Sequence, residues 1–261
     1  MSVAQMRARE YEVTLPVGLL DEQGQLQRQV VLRKMTGREE AILADKRNQR
    51  NGGKLVTELL ASCILRIGSE SMNGHTPKAV SSMYSVDRNF LLLKLRSITF
   101  GPELDAAYTC PHCSDVVRMT ENIDSLPVKM AEETGGAEEI PLELEDGYLD
   151  RDGQVHTALK LRLPTGSDEE AVAPQMRQNA AEGKNCLLAR CLKSLGDMPK
   201  SRLEAIGPKL VSELTLVDRR KIDRALNQAA PGVSLLRQVE CNSCGQTFQT
   251  TLDLSRFLAV E

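Results

Sequence analysis

Residues 15–40 read LPVGLLDEQGQLQRQVVLRKMTGREE, and residues 144–170 read LEDGYLDRDGQVHTALKLRLPTGSDEE. Each stretch holds a glycine, then Leu-Asp, a second glycine in a turn, an alternating apolar run, and Thr-Gly followed by acids. The likeness continues along the chain. LLASCILRIG (59–68) matches LLARCLKSLG (187–196), and VSSMYSVDRNFLLLKL (80–95) matches VSELTLVDRRKIDRAL (211–226). Last, CPHCSDVVRMTENIDSL (110–126) matches CNSCGQTFQTTLDLSRF (241–257). The offset is 129 for Thr36/Thr165, 128 for Cys63/Cys191, and 131 for both Asp87/Asp218 and Cys110/Cys241. Landmarks in one order at nearly one offset predict a tandem duplication of a unit of about 125 residues. The first copy is residues 1–128 and the second 141–261, divided by the acidic, Gly-containing linker KMAEETGGAEEI at 129–140.

Each copy reads the same way locally. YEVTL and QVVLRKM form a hairpin across DEQGQ, and the second copy turns at DRDGQ, where Asp-Gly is a strong turn signal. Thr36-Gly37 with Glu39 and Glu40 starts a helix, its acids in the first turn where the helix dipole favours them. A second helix is expected to end at Gly68 or Gly196 as a left-handed cap, and a third to begin near Asp87 or Asp218. Strand, Cys-x-x-Cys turn and strand close the unit. The expected fold class is α+β, a duplicated unit of β-hairpin, three helices and cysteine knuckle.

Composition bounds the function. The 261 residues are 41% hydrophobic and 26% charged, with four Tyr, four Phe and no Trp, so aliphatic side chains build the core. A net charge of −3 gives no broad electrostatic footprint for a phosphate backbone. No apolar run approaches the roughly 20 residues that cross a bilayer, and MSVAQMRAREYEV has no secretory apolar core. The expected location is the cytoplasm, where the seven cysteines stay reduced.

Cys110-Pro-His-Cys113 and Cys241-Asn-Ser-Cys244 therefore invite three readings. A thiol oxidoreductase places its first cysteine at a helix N-terminus, within a βαβ pattern. Here Val116, Val117, Arg118, Met119 and Thr120 alternate as a strand, and the second copy has no Pro-His insert. Two Cys-x-x-Cys turns at hairpin tips instead match a four-cysteine zinc ribbon, with thiolates about 2.3 Å from one Zn2+. The 127 residues between Cys113 and Cys241 exceed an ordinary ribbon loop; duplication accounts for them if each copy contributes one knuckle about a pseudo-twofold axis. An ion shared with another chain is the alternative. Cys63, Cys191 and Cys186 read as small buried hydrophobes. His112 reads as a turn residue facing solvent, or a stand-in ligand, while His75 and His156 stand alone. Asp87-Arg88 and Asp218-Arg219 read as helix caps, a structural salt bridge or partner contacts. No phosphate-cradling Gly-Lys loop and no Gly-x-Ser-x-Gly elbow occurs, and closed thiolate coordination leaves no open position for hydrolytic chemistry.

At LPVGLL, VLRKMTGREE, VDRNFLLLKLRSITFGPEL with YTCPHC, LRLPTGSDEE, APGVSLLRQVECNSCG and LDLSRFL, the chain resembles the baseplate hub assembly proteins of T-even-like contractile-tailed phages and related contractile injection systems. DRNFLLLKLR, FGPEL and the following CPHC are the most specific blocks. The chain departs from that pattern at Asn242-Ser243 and at Ser114, where a glycine is usual, which leaves the geometry of the first turn open. The resemblance implies a non-enzymatic assembly factor or chaperone with baseplate hub, spike or other tail proteins as partners. It would work in the producing cell's cytoplasm or stay with the particle, and would bind neither nucleic acid nor membrane. The runner-up is a nucleic-acid-binding zinc ribbon. Candidate partner contacts are SITFGPELDAAY (97–108) and the tail DLSRFLAVE (253–261), whose Phe257 and Leu258 could equally finish the core.

Overall fold

A computed structural model describes residues 10–21, 23–71, 76–132 and 139–252. The first half runs β1 (Tyr11–Leu20), β2 (Leu26–Leu32), α1 (Gly37–Ala44), α2 (Gly52–Cys63), β3 (Ile64–Ile67), β4 (Glu70–Ser71), α3 (Thr76–Ser82), α4 (Ser85–Phe100), β5 (Glu103–Thr109), β6 (Val116–Asn122) and β7 (Val128–Lys129). The second runs β8 (Ile140–Leu149), β9 (Val155–Leu161), α5 (Gly166–Gln178), α6 (Ala180–Cys191), β10 (Leu192–Leu195), α7 (Lys200–Glu213), α8 (Leu216–Ala229), β11 (Gly232–Val233), β12 (Leu236–Glu240) and β13 (Thr247–Thr251). Among the described residues no helix is long and apolar enough to cross a membrane. The tail at 253–261 and His75 lie outside the described residues.

Local chemistry explains the shared order. The Asp21 carboxylate accepts the Gln23 and Gln25 amides at 3.0 and 2.7 Å, with Gly24 at φ +77° closing the hairpin turn. Asp150 does the same for Asp152 and Gln154, both at 2.9 Å, with Gly153 at φ +80°. At the first helix of each half, the Thr36 amide donates to Glu39 (2.7 Å) and the Thr165 amide to Asp168 (2.9 Å), each part of a capping box.

Two expectations need correction. Among the described residues each half has four α-helices, not three: α3 and α7 stand between the second helix and the last. The second helices end at Cys63 and Cys191, not at the glycines, and the residues that follow form strands. Leu32 pairs with Ile64, and Leu161 with Leu192, so β3 and β10 extend their hairpin sheets. Pairing won because a helix carried through Ile64–Ile67 would leave the inner edge of β2 without hydrogen-bond partners. Gly68 (φ +58°) and Gly196 (φ +49°) are left-handed as expected, but their amides donate to Gln29 and Ala158 in the hairpins, both at 2.7 Å.

Both opening hairpins carry a register shift, between Thr14 and Leu19 and between Glu143 and Tyr148. Such a bulge exposes ladder amides. Asp87 accepts those of Val17 and Gly18 at 2.8 and 2.9 Å. Asp218 accepts those of Glu145, Asp146 and Gly147 at 2.6, 3.2 and 2.9 Å. The two aspartates therefore do not cap their own helices; they bolt each last helix to its hairpin. Burial pushes Asp87 up to about 6 against the pull of those amides.

Three apolar cores result among the described residues. One fills the first half around Leu32, Leu60 and Leu91; another fills the second around Leu161, Leu210 and Ile222. The third draws on both halves, packing Leu93, Tyr108 and Ile123 with Val239, Phe248 and Leu252.

A polar junction also joins the halves. Ser85 N donates to Pro164 O and Gly166 N to Met83 O, both at 2.9 Å. Arg88, wholly buried, donates to Gly53 O (2.8 Å) and Thr57 Oγ1 (2.8 Å) and has Glu169 at 3.3 Å. Glycine is required on both sides: a Cβ at Gly53 would stand 2.6 Å from Glu170 N, and one at Gly166 would overlap the Arg88 guanidinium.

Candidate metal centre

The third core carries the cysteines at its rim. β5 and β6 pair from Glu103↔Asn122 to Thr109↔Val116, and β12 and β13 from Leu236↔Thr251 to Glu240↔Thr247. Each Cys-x-x-Cys is the turn of its hairpin. In the first, Cys110 N donates to Asp115 O and Ser114 N to Cys110 O, at 2.8 and 2.9 Å. In the second, Cys241 N donates to Gln246 O and Gly245 N to Cys241 O, at 3.0 and 2.8 Å. The turn needs a left-handed residue after its second cysteine. Gly245 supplies φ +68°, and Ser114 adopts φ +63° at the same place, so the missing glycine leaves the geometry intact.

The two turns face each other. Cys110 Sγ is 3.8 Å from Cys244 Sγ, Cys113 Sγ is 3.6 Å from Cys241 Sγ, and all four sulfurs lie within 4.8 Å of one another. Four thiolates arranged tetrahedrally about 2.3 Å from one ion stand about 3.8 Å apart. The cluster could hold a metal ion without moving a strand. Cys110 and Cys241 are buried at the core side; Cys113 and Cys244 close the outer side.

Contacts beyond the sulfurs bind hairpin to hairpin and brace the first hairpin internally. Ser243 Oγ donates to Asp115 Oδ2, and Arg237 Nε to Glu121 at 3.2 Å, while Tyr108 OH donates to Glu121 at 2.8 Å. The Cys244 and Ser243 amides point at Cys241 and pull its thiol down to about 7. The Asp115 amide favours a Cys113 thiolate, yet the neighbouring Cys241 sulfur and burial hold Cys113 up at about 12. Without a cation the four sulfurs cannot all ionise, and a divalent ion removes that conflict.

The other sequence candidates stay apart from this cluster. His112 is an exposed turn residue and contributes no ligand atom to it. His156, near the start of β9, is buried against Asp150 of the second hairpin turn at 3.2 Å. Cys63 and Cys191 lie in the two apolar cores, where burial pushes each thiol up to about 12 and leaves it inert. A strand rather than a helix leads out of each cysteine turn, β6 from the first and β13 from the second, so no helix dipole is aimed at either pair among the described residues.

A family model described as T4 bacteriophage base plate protein matches residues 8–259. The chain belongs to that family. No curated protein and no solved structure matches it. Membership gives the chain a structural or assembly role at a phage baseplate, among other tail and baseplate proteins. The match spans both cysteine turns and both halves of the chain.

Sequence reasoning missed what holds the site in place. Arg88 binds Glu169, 81 positions away, and Arg237 binds Glu121, 116 positions away. The one available signal was the recurrence of Asp-Arg at the start of each last helix, which marks importance without naming the partner.

Proposed function

We propose that this chain is a non-enzymatic assembly factor for the baseplate hub of a contractile tail or contractile injection system. In this reading it arose by tandem duplication, with units at 1–128 and 141–261 and a linker at 129–140. A single structural Zn2+ held by Cys110, Cys113, Cys241 and Cys244 clamps the units into one composite face for a hub or spike protein. The observation that carries the reading is the convergence of four sulfurs, two from each half, within 4.8 Å of one another. An isolated hairpin of five to seven residues per strand is marginal in water, so an ion that ties two of them together contributes directly to folding.

The chemistry supports a scaffold over a catalyst. Four thiolates close the coordination sphere, leaving no position for a substrate or an activated water. Neither turn carries interleaved basic and aromatic residues for a nucleic-acid strand. Phe100 at the end of α4 is half exposed, so part of SITFGPELDAAY is available to a partner, whereas Tyr108 is buried in the third core. The test is binding of the full chain to the hub and spike proteins of its own phage, with and without metal. Chelation should weaken binding on the order of tenfold or more. Equal affinity after metal removal would sink the clamp, and failure to bind any tail protein would sink the assembly role.

A further inference from the structure

Away from the cysteine turns, the third core and the β7–β11 pairing, the helical parts of the two halves meet asymmetrically among the described residues. The face built by α2, α3 and α4 of the first half grips the corner at the start of α5, through Ser85, Met83 and Arg88. The equivalent face of the second half, on α6, α7 and α8, grips nothing among the described residues. Leu216 and Val217 stand where Ser85 and Val86 stand in the first half, and they are 65% and 51% exposed. Val86 packs against Gly232, where a Cβ would be 3.2 Å away. Arg219 and Asn185 occupy the positions of Arg88 and Thr57. Arg219 Nε and Asn185 Oδ1 are both shielded from solvent, and neither has a hydrogen-bond partner among the described residues.

The matching corner is also uncovered. Thr36, Gly37 and Glu40 are the counterparts of Thr165, Gly166 and Glu169, and all three are exposed. A Cβ at Gly37 would touch nothing within 4 Å, whereas Gly166 is packed against Arg88. Beside that corner, Phe100 is 49% exposed at a cleft of about 130 Å³ shared with Met35 and Leu43. One molecule thus carries an unoccupied receptor face and an unoccupied copy of what that face holds elsewhere.

We propose that a second copy of this chain docks its first-half corner, led by Glu40, onto the second-half face around Arg219, so that chains join head to tail. The charges complement each other, and the intramolecular junction serves as the template: Glu40 meets Arg219 as Glu169 meets Arg88. The contact is heterologous, so it propagates and closes into a ring if the rotation allows. It is weaker than its template, because Ala181 stands where Gly53 lets the Glu170 backbone come close. Association is therefore reversible and visible at high protein concentration. This goes beyond the assembly role proposed above and does not depend on zinc.

The test is sedimentation velocity of the full, metal-loaded chain over a concentration series. The wild type should shift from monomer to larger species as concentration rises. Arg219→Glu, Glu40→Arg and, at the exposed Leu216, Leu216→Glu should each hold it at monomer with an unchanged melting temperature. A mixture of Arg219→Glu with Glu40→Arg should regain the larger species, since every contact between unlike chains again pairs opposite charges. A monomer at every concentration, or larger species indifferent to these substitutions, overturns the proposal.

Discussion

Arg88 and Arg219 stand at equivalent places in the first turn of α4 and α8, each directly after an aspartate that ties its helix to a hairpin bulge. Their surroundings diverge. Arg88 is wholly buried and holds Thr57, Gly53 and Glu169 together; Arg219 is partly exposed and engages no acid among the described residues. The same dipeptide is a structural bolt in one half and an open contact in the other. What decides is the neighbouring surface, and that follows from one half lying against the next. A repeated motif shows what each half can hold, while only the packing shows which half is already holding something.

The largest break in this comparison comes from removing the guanidinium. Arg88→Leu leaves Glu169 beside a buried apolar group and Gly53 O without its donor, and should cost about 3–5 kcal/mol in chemical denaturation. The same change at Arg219 should cost under about 1 kcal/mol, measured in dilute solution. Equal losses at the two sites would mean that the halves are not packed as described.

A second contrast lies at the capping boxes. Burial works against the charge on Glu39, but Arg33, Ser62 and the Thr36 amide outweigh it and hold the group at about 2. The ordinary value is 4.5, so Glu39 adds stability above that pH and loses it as pH falls from 4.5 towards 2. Glu39→Gln should therefore destabilise the protein at neutral pH, and its deficit against wild type should shrink across that window. Asp168 is held below the ordinary carboxylate range by Arg162 and the Thr165 amide against burial, with Arg190 at 2.8 Å as well. Asp168→Asn should cost more at neutral pH, because it leaves two arginines without a partner. Melting curves taken at pH 7 and pH 3 check both statements.

The smallest effect separates the cysteine turns. Ser114→Gly removes a side chain from a left-handed residue and should stabilise by about 0.5–1 kcal/mol, while Gly245→Ser should cost about the same. Thermal melts of the metal-loaded variants will show the sign.

Much of this was legible because it is local. Thr-x-x-Glu and Thr-x-x-Asp at 36–39 and 165–168, the Asp-x-x-Gly turns, and the paired cysteines each act within a few residues. The strands at Ile64–Ile67 and Leu192–Leu195 were not legible, since a four-residue apolar run reads equally well as the end of a helix. Their partners lie some 30 residues upstream. Asp87 was misjudged as a cap for the same reason: the amides it binds are 69 and 70 positions away. The cysteine pairs were legible as two hairpin-tip turns able to offer ligands, but their meeting depends on the third core and on the β7–β11 pairing, in which Val128 partners Val233.

The central claim is that two distant halves are pinned by four sulfurs around one cation, and metal counting addresses it most directly. Zinc measured on the purified chain should be one ion per molecule, and Cys113→Ser and Cys244→Ser should each lower that content and the melting temperature to a similar extent. Two ions per molecule, or a substitution in one turn that leaves metal and melting temperature untouched, would contradict it.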